Sequence, residues 1–165
     1  MSGGRGSLLA PLLGANRAAA TRALELLATP GRQVWAAVYG PPPLLFLDAG
    51  AVAMLQGWLL SEPRAQLQVL TDDDRELARQ APQFVALARR LSSRIAVRRQ
   101  PPRAEPLPAE WLLTDRGGIL TRRGPEAREW FGAAHAPFDM RRLQRTHAAL
   151  WEPALPASEL RELRL

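Results

Sequence analysis

Glu110 to Arg123 reads EWLLTDRGGILTRR, and this stretch decides the fold. Trp111 to Thr114 and Ile119 to Arg122 are apolar-rich runs joined only by Asp115-Arg116-Gly117-Gly118. Two such runs around paired glycines predict a β-hairpin, because glycine adopts the positive φ that a tight hairpin turn requires. A hairpin brings antiparallel pairing, whereas the chain before it follows a different rhythm. Gln33 to Tyr39 (QVWAAVY) is a short, nearly continuous apolar run, the pattern of a strand covered on both faces at the centre of a sheet. Ala65 to Leu70 (AQLQVL) alternates polar and apolar residues, which fits a strand with one wetter face, and Arg94 to Arg99 (RIAVRR) supplies a third.

Helices fall between these strands. Asn16 to Ala28 is rich in Ala and Leu and stops at Thr29-Pro30-Gly31. After Pro41-Pro42-Pro43 a short segment, Leu44 to Leu47, crosses back, and Asp48 caps a helix running to about Ser61. Asp72-Asp73-Asp74 opens a long helix that Pro82 kinks or restarts, since proline lacks the backbone donor a helix interior needs. Alternating helices and strands predict parallel crossovers, so the hairpin makes the whole an α/β fold, a mixed sheet flanked by helices. Beyond the proline-rich loop Pro101 to Pro108 and the hairpin, Asp139 is expected to cap a helix striped by Met140, Leu143, His147, Leu150 and Trp151. Pro153 ends it, and Ala157 to Arg164 adds a short final helix. Residues 1–14 read as a flexible, Gly-rich arm, and 15–165 as a single α/β domain.

The segment from Glu110 to Trp151, with EWLLTDRGGILTRR followed by DMRRLQRTHAALW, resembles the second part of a phospholipase D-like half-domain. There, a strand pair with an Asp-Gly-like turn precedes a helix ending in an aromatic or long apolar residue, two spacers and Trp. Here His147 takes the aromatic position in HAALW. The upstream elements, with Arg89-Arg90-Leu91-Ser92-Ser93-Arg94-Ile95 entering the third strand, are similar to a small, uncharacterised bacterial family of inactive phospholipase D-like domains, sometimes fused to acetyltransferases. The active superfamily carries HxKxxxxD, in which the His attacks phosphorus and the Lys neutralises phosphate oxygens. Setting Asp115 on the motif's Asp puts Pro108 at the His position and Glu110 at the Lys position. Proline offers no nucleophile, and a carboxylate repels the phosphate that lysine attracts. Thr121-Arg122-Arg123-Gly124 also stands where Gly-Ser-x-Asn is usual. The resemblance therefore implies a scaffold without phosphodiesterase chemistry and a vestigial cleft at Pro108, Glu110, Asp115 and His135.

Composition narrows the chemistry independently. The chain has no cysteine and no lysine, and His135 and His147 are its only histidines. Thiol nucleophiles, thiolate zinc sites, Schiff bases and a P-loop lysine are thereby excluded. No residue is assigned as catalytic, and no metal or cofactor is expected. All 22 positive charges are Arg and Asn16 is the only Asn, a bias attributable to a GC-rich genome, so the net charge of +6 is partly genomic in origin. Absence of cysteine permits a reducing compartment, and a cytoplasmic location is the default. No apolar run reaches the roughly 18 residues of a membrane span: Pro11 interrupts Leu8 to Leu13, and Ser61, Glu62 and Pro63 end the longest candidate.

Other constellations have ordinary readings beside functional ones. His135, in the loop Gly132 to Pro137, has the chemistry of a general base or ligand but no carboxylate nearby in sequence, and His147 on an apolar stripe reads as a core or interface residue. The three aspartates from Asp72 cap a helix more naturally than they bind a cation. Arg89, Arg90, Arg94, Arg98, Arg99 and Arg103 form the densest positive run and the candidate anion-binding surface. Trp111, Trp130 and Phe131, flanking the hairpin, are the candidate protein interface. The leading expectation is a non-catalytic interaction module, homodimeric or bound to a protein partner. Nucleic-acid or phosphate-ligand binding through the arginine run is the alternative.

Overall fold

Gln33–Val38 forms strand β2, deep inside a sheet that has eight strands among the described residues. The computed structural model describes residues 9–12, 15–39, 48–124 and 126–161. In chain order the elements are β1 (Ala10–Pro11), α1 (Ala15–Ala28), β2, α2 (Ala49–Ser61), β3 (Gln66–Thr71), α3 (Asp74–Gln80), α4 (Pro82–Arg90) and β4 (Ile95–Arg99). Then follow β5 (Glu110–Thr114), β6 (Ile119–Arg122), β7 (Phe131–Ala133), α5 (Pro137–Trp151), β8 (Leu155–Pro156) and α6 (Ser158–Arg161). The spatial order is β1-β7-β6-β5-β2-β3-β4-β8. β2, β3 and β4 are parallel, with Val34 beside Leu67 and Leu67 beside Ile95. The hairpin β5–β6 joins through an antiparallel β2–β5 pair, Trp35 facing Leu113, so the sheet is mixed.

Strand periodicity divides the core between the two faces. Val34, Ala36, Val38, Leu67 and Val69 pack with residues of α1 to α4 and α6, including Leu27, Leu55, Leu59, Phe84 and Leu160. Ala37, Leu70, Trp111, Leu113 and Ile119 pack with Met140, Leu143, Leu150 and Trp151 of α5. Each fully buried Leu or Phe contributes about 1.5–3 kcal/mol relative to an exposed one. Asp48 caps α2 by accepting from the Gly50 N–H at 2.6 Å, and Asp73 caps α3 by accepting from Glu76 N–H at 3.0 Å. Pro82 restarts the helix instead of bending it, standing in the first turn of α4 after Ala81 leaves helical geometry.

Several boundaries differ from the sequence-based expectation. Part of the predicted N-terminal arm belongs to the sheet: Ala10–Pro11 pairs with Phe131 and Gly132 as edge strand β1. The short strands β7 and β8 carry too few residues to show a period. Both sheet edges are two-residue strands containing a proline, Pro11 and Pro156, which blunts them against pairing with another sheet. Asp139 does not cap α5. The helix begins at Pro137 behind Ala136, where proline costs no donor, and Asp139 lies in its first turn, buried, 3.7 Å from Arg142. The predicted crossing segment Leu44 to Leu47, residues 1–8 and 13–14 of the arm, and Glu162 to Arg164 of the final helix lie outside the described residues.

Candidate functional site

Parallel β2, β3 and β4 end on the same edge of the sheet, where antiparallel β5 begins and β6 ends. In open α/β sheets this edge is where ligands bind. Glu110, the first residue of β5, sits there with 1% exposure. Its carboxylate accepts from the Tyr39 N–H at 3.1 Å and from Arg122 Nη2 at 2.7 Å. Arg122 in turn lies 5.0 Å from the Trp130 ring centre. Burial pushes the Glu110 carboxyl above its ordinary range, outweighing the Tyr39 N–H and Arg122, which pull it down. Burial also raises the Tyr39 phenol, and the Glu110 charge adds to the effect. Pro108 is exposed two residues away. This edge therefore holds a locked carboxylate–guanidinium pair where the motif places an ammonium.

Asp115 lies at the other end of β5. Five steps along extended chain separate it from Glu110, about 17 Å at 3.4 Å per step. Its two oxygens accept from the Gly31 and Arg32 N–H groups, each at 2.9 Å, pinning the hairpin turn to the start of β2. Gly31 is needed there because a Cβ would come within 2.5 Å of that carboxylate. Gly117 takes φ +90° in the turn, as the sequence led us to expect of a hairpin glycine. His135 is exposed and meets the Arg116 carbonyl through Nδ1 at 3.1 Å, so that nitrogen donates. The four residues expected to share a vestigial cleft thus separate into two groups, Pro108 with Glu110 at one edge and Asp115 with His135 at the other. An open cleft of 810 Å³ adjoins the Asp115 end, lined in part by Gly31, Arg32, Trp58, Glu62 and Arg116.

His147 is fully buried on α5. Its Nδ1 accepts from Trp111 Nε1 at 3.1 Å, while Nε2 has no partner among the described residues. The imidazole stacks on Trp151 at 5.6 Å between centres, and Arg98 covers the Trp151 ring at 4.5 Å. Burial lowers its pKa from 6.5 to about 4. The residue is a neutral core histidine.

The six arginines of the expected anion surface are not gathered on one open face. Arg94 gives its guanidinium to the carbonyls of Leu59, Ala65 and Glu62. Arg98 bonds the Trp151 carbonyl at 2.8 Å, and Arg89 bonds that of Leu160 at 2.9 Å. Arg99 pairs with buried Asp74 at 3.5 Å, and Arg90 bonds Gln56 at 3.0 Å. Arg103 stands exposed with φ 68°. The expected interface residues Trp111 and Trp130 are 1% and 3% exposed and belong to the core, because alternation on β5 turns Trp111 toward α5 and Trp130 closes over Arg122; Phe131 is half-buried. What the sequence reading missed is the outer face of α5, with Phe138, Arg141, Arg142 and Arg145 all exposed. The buried stripe of that helix was read, and its complement carried the signal. Among the described residues, no cluster of three metal-ligating side chains occurs and no helix is long and apolar enough to cross a membrane.

A family model spans residues 15–163. The chain belongs to that family, the domain of unknown function DUF7931. No curated protein matches the DUF7931 chain. Among solved structures it is similar to TrmBL2, an archaeal chromatin protein with a novel mode of DNA binding, at TM-score 0.62 and 11% identity over 90% of this chain and 53% of that one. NucT from Helicobacter pylori matches at TM-score 0.57 and 10% identity over 90% of this chain and 96% of its own. The phosphatidylserine synthase of Haemophilus influenzae Rd KW20 matches at 0.62 and 12% over 93% and 39%. The DUF7931 chain spans about half of TrmBL2 and less of the synthase. NucT and the synthase are phospholipase D-family members, so the DUF7931 fold is phospholipase D-like.

Proposed function

We propose that residues 15–165 are one phospholipase D-like domain that has given up phosphodiester chemistry and works as a binding module, paired as a homodimer. The observation that carries this reading is Glu110. At the position where the motif holds lysine, a buried carboxylate is tied to Arg122 and to the Tyr39 N–H. A phosphate approaching that edge meets a neutral pair, in which the Arg122 guanidinium is already committed to Glu110, where lysine would offer an ammonium. Pro108 supplies no nucleophile, and both oxygens of Asp115 are spent on backbone N–H groups. The resemblance supports the pairing, since single-motif phospholipase D-like members join their halves. Proline in both edge strands directs such a pairing to side-chain surfaces and away from sheet extension. With no cysteine to pair, the cytoplasm is the compartment this reading assigns.

Two measurements test it. Incubation with bis(4-nitrophenyl) phosphate yields no nitrophenolate above buffer, and a burst with a trapped phosphoenzyme overturns the silent-scaffold reading. Light scattering at micromolar concentration gives twice the 18.2 kDa chain mass, and a monomer mass removes the dimer. A second reading, nucleic-acid binding, draws on the net charge of +6 and on the DNA binding of TrmBL2, whose fold this chain shares.

A further inference from the structure

We propose that the outer face of α5 is a docking surface for single-stranded nucleic acid, with Phe138 as a base-stacking platform and Arg141, Arg142 and Arg145 as phosphate contacts. The inference rests on the reading that this domain binds instead of cleaving, and it uses a face remote from the Glu110 edge. With 3.6 residues per turn, positions 138, 141, 142 and 145 fall within about 100° of helix circumference. Met140, Leu143, His147 and Leu150 occupy the opposite side and face the sheet.

The stripe is not explained by stability. Phe138 is 59% exposed, so its ring gains little from packing. Arg141 and Arg145 are exposed and have no carboxylate partner among the described residues, and Arg142 keeps 64% of its side chain exposed although Asp139 lies 3.7 Å away. Exposed Ala148 and Ala149 continue the face with small side chains. At the other end, Gly117 O accepts from the Ala136 N–H at 2.8 Å and His135 holds the Arg116 carbonyl, which brings the exposed Arg116 to the start of α5. From Phe138 to Arg145 is about 10 Å of helix, roughly one Debye length at 0.1 M salt, so the charges act together on a polyanion. Arginines alone would suit any anionic surface. An exposed aromatic among them adds the π-face on which unpaired bases stack, a contact that the bases of a closed duplex do not offer.

The test titrates the full chain against fluorescein-labelled dT20 and follows anisotropy. Expected is saturable binding whose log–log salt slope is about −2, from three phosphate contacts at about 0.7 each. Phe138→Ala weakens it about 5- to 150-fold. The double variant R141E/R145E abolishes it. All three substitutions are at exposed positions, and near-ultraviolet circular dichroism checks that the fold is intact. A 20-base-pair duplex binds more weakly than dT20. The proposal is overturned by absence of saturation at about 50 mM salt, by variants that bind as the parent does, by a duplex bound more tightly, or by phosphatidylserine vesicles bound in preference to dT20. Loss of dT20 binding without nitrophenyl phosphate turnover overturns this proposal alone, whereas turnover overturns the silent-scaffold reading on which it rests.

Discussion

Replacing His147 with leucine should flatten the acid limb of the stability curve. In the folded chain the imidazole is fully buried, with Trp111 Nε1 donating to Nδ1, and its pKa falls from 6.5 to about 4. Protonation would place a charge in an apolar pocket and set a second N–H against the Trp111 donor. The folded pKa lies below the unfolded one, so the unfolded chain takes up the proton first. The stability tied to the neutral ring is complete above about pH 6.5, drains as pH falls, and is gone near pH 4. A shift of this size at 1.36 kcal/mol per unit amounts to about 3 kcal/mol. His147→Leu removes the titration and the unpartnered Nε2 but strands the Trp111 N–H, two changes of about 1–3 kcal/mol that oppose one another. At pH 7 the variant should stay within about 1 kcal/mol of the parent, and at pH 4 it should be about 2–3 kcal/mol the more stable. Urea unfolding followed by tryptophan fluorescence at a series of pH values measures both curves. Parallel curves between pH 6.5 and 4, or the His147 imidazole itself titrating near 6.5 by NMR, would refute the argument.

Asp115→Ala should cost about 2 kcal/mol in urea unfolding, because two charge-assisted bonds from Gly31 and Arg32 are lost, and Asp115→Asn, with one acceptor oxygen, should recover about half. Glu110→Ala should cost about 3 kcal/mol near neutral pH by stranding Arg122 and the Tyr39 N–H. Glu110→Gln should cost less, and it should also remove a pH effect of opposite sign to that of His147. A raised carboxyl favours the fold below its unfolded pKa and loses that contribution as pH rises through the folded one, so only the parent should weaken across that window. Gly117→Ala should cost about 1–2 kcal/mol in thermal unfolding, since φ is +90° and the new Cβ would lie 3.0 Å from His135 Nδ1.

The fold was legible wherever chemistry is local. The apolar run at Gln33, the cap at Asp48 and the turn glycine at 117 depend on neighbours within a few residues, and each stands where the sequence placed it; the structure chose Asp73 among three aspartates and a restart over a kink at Pro82. The start of α5 was misread because Asp139 has the right side chain for a cap, yet Pro137 can open a helix without one. The short strands β1, β7 and β8 escaped because two or three residues carry no period.

Sequence by itself determined which side-chain chemistries the chain lacks and where its longer elements form, because both follow from residue type and short-range spacing. Tertiary structure decided what the polar residues do, because a guanidinium reads the same in a chain whether carbonyls or water await it. Packing turned Arg94 and Arg98 onto carbonyls, sank Trp111 and Trp130, and tied Glu110 to Arg122. It also left Phe138 with three arginines on the open side of a helix whose other side the sheet had claimed.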